Sequence, residues 1–257
     1  MATKTRTRTD PDNLPEVTIS EDTEVRFLHL GTEWVQGSML IKKPFEIELE
    51  YVQRMMAWLL FVDPDTVADR RAMQLGLGSA ALTKFCFKKL KMDTTAIEIN
   101  PQVVAACRNW FKLPPDSAKL SVILGDAAEV VQHEAFHGQY DALQVDLYDH
   151  EAAAPVLDST EFYADCRKML TDEGCMTVNL FGRDASYERT LEKICTAFGE
   201  DAVWAFKPTR DGNTSVRAQR TPSHPTRMEL LARAEVIQER WGLPATKWLK
   251  VFKQVGA

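Results

Sequence analysis

The chain has 257 residues, 45% of them hydrophobic and 26% charged, with a net charge of −6. That length can bury a core in one large domain with appendages, and the acidic balance argues against a nucleic-acid partner, which demands a basic face. No apolar run reaches the ~18 residues of a membrane span, the first residues lack the apolar stretch of a secretory signal, and five scattered cysteines without a CxxC read as reduced core thiols of a cytoplasmic protein.

In chain order, residues 1–15 read as a solvated, disordered tail. A β-rich segment follows over 16–55, with "EVTIS", "EVRFLHL" and "EWVQGSMLI" as short antiparallel strands. "FEIELEYVQRMMAWLLFV" reads as one helix, stopped by the proline of "DPD". From Ala72 strands and helices alternate: "AMQLGLG", "TTAIEIN", "LSVILGD", "YDALQVD", "GCMTVNL", "AVWAFKP" and "NTSVRAQR" are seven strands, with amphipathic helices between most of them. Repeated β-α units predict a mostly parallel sheet with helices on both faces, a Rossmann-like α/β domain over 56–222. Residues 223–257 read as two helices parted at Gly242-Leu243-Pro244.

Open α/β sheets bind ligands at the carboxyl ends of their strands. After the first strand, Gly76 and Gly78 allow a sharp turn and close approach to a ligand, with Ser79 next. Glu98 ends the second strand, where a carboxylate can accept both hydroxyls of a ribose. Asp126 and Ala127 follow the third strand; the Asp can accept an adenine amino group, cap the next helix, or do both. Asp146 and Asp149 follow the fourth and form an acidic mouth suited to an ammonium group or its proton. "GLGSAA" with Glu98 also fits a dinucleotide fingerprint, but the carboxylates after the third and fourth strands suit a mononucleoside better. "HEAFH", His133 to His137, matches a zinc motif, yet Gly138 stops the helix that the motif needs, so no metal is expected.

Together "LGLGSAAL", "AIEINPQVV", "ILGDA", "YDALQVDLYD" and "GCMTVNL" resemble the polyamine aminopropyltransferases, the spermidine synthase family, with its fold of the class I S-adenosylmethionine-dependent methyltransferase type. The resemblance runs from about Val17 to Arg220. It implies a cytoplasmic homodimer without metal, membrane or nucleic-acid partner, which moves an aminopropyl group from decarboxylated S-adenosylmethionine to an amine. It implies donor binding by Gln36, Gly76, Gly78, Ser79, Glu98, Ile99, Asp126, Ala127 and Leu147. Asp146 and Tyr51 would be catalytic, and Asp149 and Arg210 would face the acceptor. Three positions depart from the family pattern. Ser79 stands where an aspartate binds the donor's ammonium, Arg210 where a tyrosine is expected, and Gln53 where the Y-x-E glutamate falls. Methyl transfer from intact S-adenosylmethionine and a non-catalytic nucleoside-binding role are the other two expectations.

Overall fold

The computed structural model describes residues 14–147, 157–181 and 185–256. Asp149 lies outside the described residues.

β1 (Val17–Glu21), β2 (Val25–Leu30) and β3 (Val35–Leu40) form an antiparallel three-stranded sheet, as their sequences predict. The segment 45–62 differs from the expected single helix. Residues 45–49 are not helical, α1 (Glu50–Arg54) is a short turn of helix, and Met55–Phe61 is a 3-10 segment with every residue buried. Glu48 therefore sits ahead of the helix rather than on it. An apolar run with no solvent-facing side carries no amphipathic period, so nothing in it favours a long helix with one wet face.

The large sheet contains β4 (Arg71–Leu75), β5 (Asp93–Glu98), β6 (Leu120–Leu124), β7 (Tyr140–Val145), β8 (Leu170–Phe181), β9 (Val203–Phe206), β10 (Asn213–Gln219) and β11 (Phe252–Gln254). Their order is β11-β9-β10-β8-β7-β4-β5-β6, and the pairs from β6 across to β8 are parallel. The seven expected strands are present, but among the described residues the sheet has eight. The extra one is "FKQ", expected as the end of a helix. It pairs antiparallel with β9, and Phe252 stacks on Phe206 with ring centroids 4.4 Å apart. The pairing covers an edge that β9 would otherwise expose.

Side chains alternate across the sheet. Ala72, Ala142 and Cys175 face one core, with Met55–Phe61, α2 (Ala81–Lys84) and α7 (Arg227–Trp241). Met73, Leu75, Leu143, Val145, Met176 and Val178 face the other, with α5 (Thr160–Met169) and α6 (Ala185–Phe198). Helices thus cover both faces. The helix expected between the first two strands of the large sheet is α2 followed by a π-helical turn, Phe85–Lys89. The C-terminal pair is α7, opened by a Thr226–Glu229 capping box and closed by Gly242 in the left-handed region, then α8 (Ala245–Trp248). From β4 the chain runs outward through β5 and β6, then returns to lay β7 on the opposite side. The switch point between β4 and β7 is where such sheets open a crevice.

Candidate active site

The turn after β4 is shaped by what it touches. Gly76 has φ +84°, and a Cβ there would lie 2.3 Å from the Asp146 carbonyl and 3.2 Å from Leu147 Cδ2. Only glycine permits both the backbone angle and that approach. Asp146 N in turn donates to Leu75 O (3.0 Å), which fixes the end of β7 against the end of β4. Gly78 (φ +50°) runs close beneath the Gln36 carbonyl of β3.

Glu98 closes the turn from the other side. Its carboxylate accepts from Leu77 N at 2.9 Å and Asn100 N at 2.8 Å. Burial pushes its pKa up, against the opposing effect of those backbone N–H groups. These bonds and the Ile99 backbone N–H still leave part of the carboxylate's roughly four lone-pair sites for ribose hydroxyls. Ile99 follows it, partly buried. Asp126 accepts from Ala128 N (2.8 Å) and caps α4 (Ala127–Val130), so the capping reading of this residue holds, while the adenine reading depends on a ligand. Gly76, Glu98, Asp126 and Asp146 follow or end β4, β5, β6 and β7, four neighbouring strands, so three of the expected donor-binding residues and the expected catalytic aspartate lie along one sheet edge.

Asp146 is the centre of a hydrogen-bonded chain. Tyr51, in the first turn of α1, donates its hydroxyl to Asp146 Oδ2 (3.3 Å). Asn179, near the end of β8, donates to Asp146 Oδ1 (3.0 Å), and Asn213 at the start of β10 donates to Asn179 (3.2 Å). Ser215 holds the Tyr51 backbone by donating to its carbonyl (3.2 Å). Burial raises the Asp146 carboxyl above its ordinary value, opposed by the bonds from Asn179 and Tyr51. A carboxylate so placed is a better proton acceptor than a solvated aspartate. Asn179 was missed from the sequence.

Ser79 is buried, and its hydroxyl donates to the Ser38 carbonyl of β3 (2.8 Å). β3 presses so closely here that a Cβ on Gly37 would lie 2.7 Å from both Ser79 N and Oγ. Ser79, Gln36, Gly78, Tyr51 and Asp146 line one narrow pocket, joined by Glu48, which was also missed. Arg210 is exposed in the turn between β9 and β10 and does not line that pocket. The same turn ends at Asn213, in the Asp146 chain. His133 and His137 flank a one-turn 3-10 segment, where His133 Nδ1 accepts from Ala135 N and His137 Nε2 pairs with the Val131 carbonyl. No cluster of three His, Cys, Asp or Glu suited to a metal occurs among the described residues, and none of their helices is long and apolar enough to cross a membrane.

Among solved structures, the fold is similar to a probable spermidine synthase from Corynebacterium glutamicum, with TM-score 0.74 and 17% identity over 95% of this chain and 90% of that one. It is also similar to human Methyltransferase-like protein 13 in complex with SAH, with TM-score 0.68 and 21% identity over 76% of this chain and 93% of that one. Likeness at these identities speaks for the fold. In sequence, residues 78–197 match the Spermine/spermidine synthase domain family. Polyamine aminopropyltransferases from Neisseria meningitidis and Chromobacterium violaceum are 35% and 32% identical, over 96% and 97% of this chain and 93% and 94% of their own lengths. On that near-full-length similarity, the chain belongs to the polyamine aminopropyltransferase family.

Proposed function

We propose that this protein transfers the aminopropyl group of decarboxylated S-adenosylmethionine to an amine. The observation that carries the reading is the Tyr51–Asp146–Asn179 chain at the switch point, beside the glycine turn. The nucleoside lies along the edge from Gly76 to Asp126. Glu98 takes the ribose, Asp126 and Ala127 the adenine, and Ile99, Leu147 and Gln36 pack around them. Asp146, with its raised pKa, accepts a proton from the acceptor ammonium, and Tyr51 and Asn179 hold the carboxylate in position. The freed amine lone pair forms the new N–C bond as the C–S bond breaks, and the sulfur keeps that electron pair and leaves as neutral methylthioadenosine. Attack cancels the sulfonium charge, so the reaction needs orientation and a dry site more than a further electrophile.

Asp149 and Arg210 face the acceptor in this reading. The far ammonium of a diamine suits Asp149, whereas the guanidinium of Arg210 opposes a second cation placed beside it. A cytoplasmic homodimer is the proposed setting, and light scattering on the purified chain tests the dimer. The binding test is calorimetry with methylthioadenosine, where saturable binding is expected and no binding at millimolar concentration overturns the reading.

A further inference from the structure

The pocket between β3, the glycine turn and α1 has a polar wall of Gln36, Ser38, Glu48, Tyr51, Gln74 and Asp146. Most of these groups are committed to protein partners. Tyr51 is bonded to Asp146, and Gln74 accepts from both the backbone N–H and the hydroxyl of Thr83. The Ser38 carbonyl is taken by Ser79. Glu48 differs. Its carboxylate accepts one hydrogen bond, from the Ser38 hydroxyl at 2.6 Å, and no cationic side chain among the described residues pairs with it. A neutral hydroxyl brings no positive charge to it.

Glu48 is also held in place. Gln53 donates its side-chain amide to the Ile47 carbonyl (2.8 Å) and more weakly to that of Glu48 (3.4 Å), which bends the backbone ahead of α1. Gln53 thus works on the chain that presents Glu48. The relay Ser79–Ser38–Glu48 places this carboxylate across β3 from the glycine turn. An anionic, acceptor-rich wall without its own cation matches a primary ammonium, which brings three donors and one positive charge.

We infer that Glu48 binds the terminal ammonium of the donor's aminopropyl arm and selects the decarboxylated donor, an inference that rests on the transferase reading above. The charge absent from the turn at Ser79 comes from across the pocket. An intact donor carries a carboxylate on the same arm, and Glu48 repels it.

The test compares two ligands that share the nucleoside and differ in the ammonium arm. Decarboxylated S-adenosylmethionine and methylthioadenosine are titrated calorimetrically into the full-length wild type and Glu48→Gln. The amide keeps the shape and still accepts from Ser38. Affinity for the decarboxylated donor is expected to fall about 10- to 100-fold, as for loss of a charged hydrogen-bond partner, with affinity for methylthioadenosine unchanged. Unchanged affinity for the decarboxylated donor, or an equal loss for both ligands, overturns the assignment. Should Glu48→Gln fail to fold, Glu48→Asp replaces it. That variant keeps the charge one methylene short, and an unchanged ratio of the two affinities overturns the assignment. If the wild type binds neither ligand, the transferase reading itself fails, an outcome distinct from failure at Glu48 alone.

Discussion

At the scale of single residues, Asp146 and Ser79 carry opposite consequences. Asp146 has a folded pKa raised by burial, so its charged form costs stability. That cost is absent below the unfolded pKa, grows as pH rises to the folded pKa, and is full above it. Asp146→Asn removes the charge at nearly the same shape. Transfer is expected to fall about 10²- to 10⁴-fold, as for loss of a general base, while the thermal midpoint at neutral pH stays equal or rises. The gain should vanish in acid, where wild-type Asp146 is protonated. Turnover and melting curves measured across pH check both parts, and a variant that keeps full activity contradicts the role. Ser79→Asp tests whether the family's aspartate can simply be restored. The serine hydroxyl donates to the Ser38 carbonyl, and a carboxylate cannot. The buried carbonyl would lose its donor and face a charge, at a cost on the order of 1–3 kcal/mol or more. Chemical denaturation should show this loss, with no gain in turnover of the decarboxylated donor.

At the scale of elements, the site depends on β3 lying against the turn after β4. Gly37→Ala puts a methyl 2.7 Å from Ser79 N, a backbone atom with little room to yield. A destabilisation of about 1–3 kcal/mol is expected, typical of overpacking, together with weaker methylthioadenosine binding, both read by a thermal-shift titration. A variant as stable as wild type would show that the two sheets separate easily. β4 to β7 were legible because each is an apolar run that ends at glycine or a carboxylate, and those endings mark the edge that carries the candidate site. Residues 45–62 were less legible, since an apolar run buried on every side has the same composition in α or 3-10 form. That misreading put Glu48 on a helix and hid its place in the pocket. β11 was hidden by its length, since three residues carry no period and pair only because β9 offers an edge and Phe206 a partner ring. Asn179 stood inside a correctly read strand, but its bond to Asp146 is a contact across the sheet that no local pattern encodes.

At the scale of the whole molecule, buried ionisable groups make stability depend on pH through Lys84 as well as the carboxylates. Lys84 is buried beneath the turn, with its ammonium on the Phe111 carbonyl (2.7 Å), and burial lowers its pKa to about 8 from 10.5. The unfolded chain holds that proton more tightly, so the penalty is full below pH 8 and is relieved as pH rises to 10.5. Buried thiols act the other way above pH 9, because Cys86 and Cys107 are pushed up to about 12 while the unfolded thiols ionise. The comparison of wild type with Lys84→Met isolates the lysine. The stability difference between the two is expected to change by about 3 kcal/mol between pH 8 and 10.5, with the methionine variant gaining most at the lower end. A pH-independent difference contradicts the lowered pKa. The measurement that bears most directly on the central claim is a donor competition. Decarboxylated and intact S-adenosylmethionine are supplied together with a panel of amines, and both nucleoside products are quantified. Methylthioadenosine formed in step with an aminopropylated amine is the expected result; S-adenosylhomocysteine with no methylthioadenosine would contradict it.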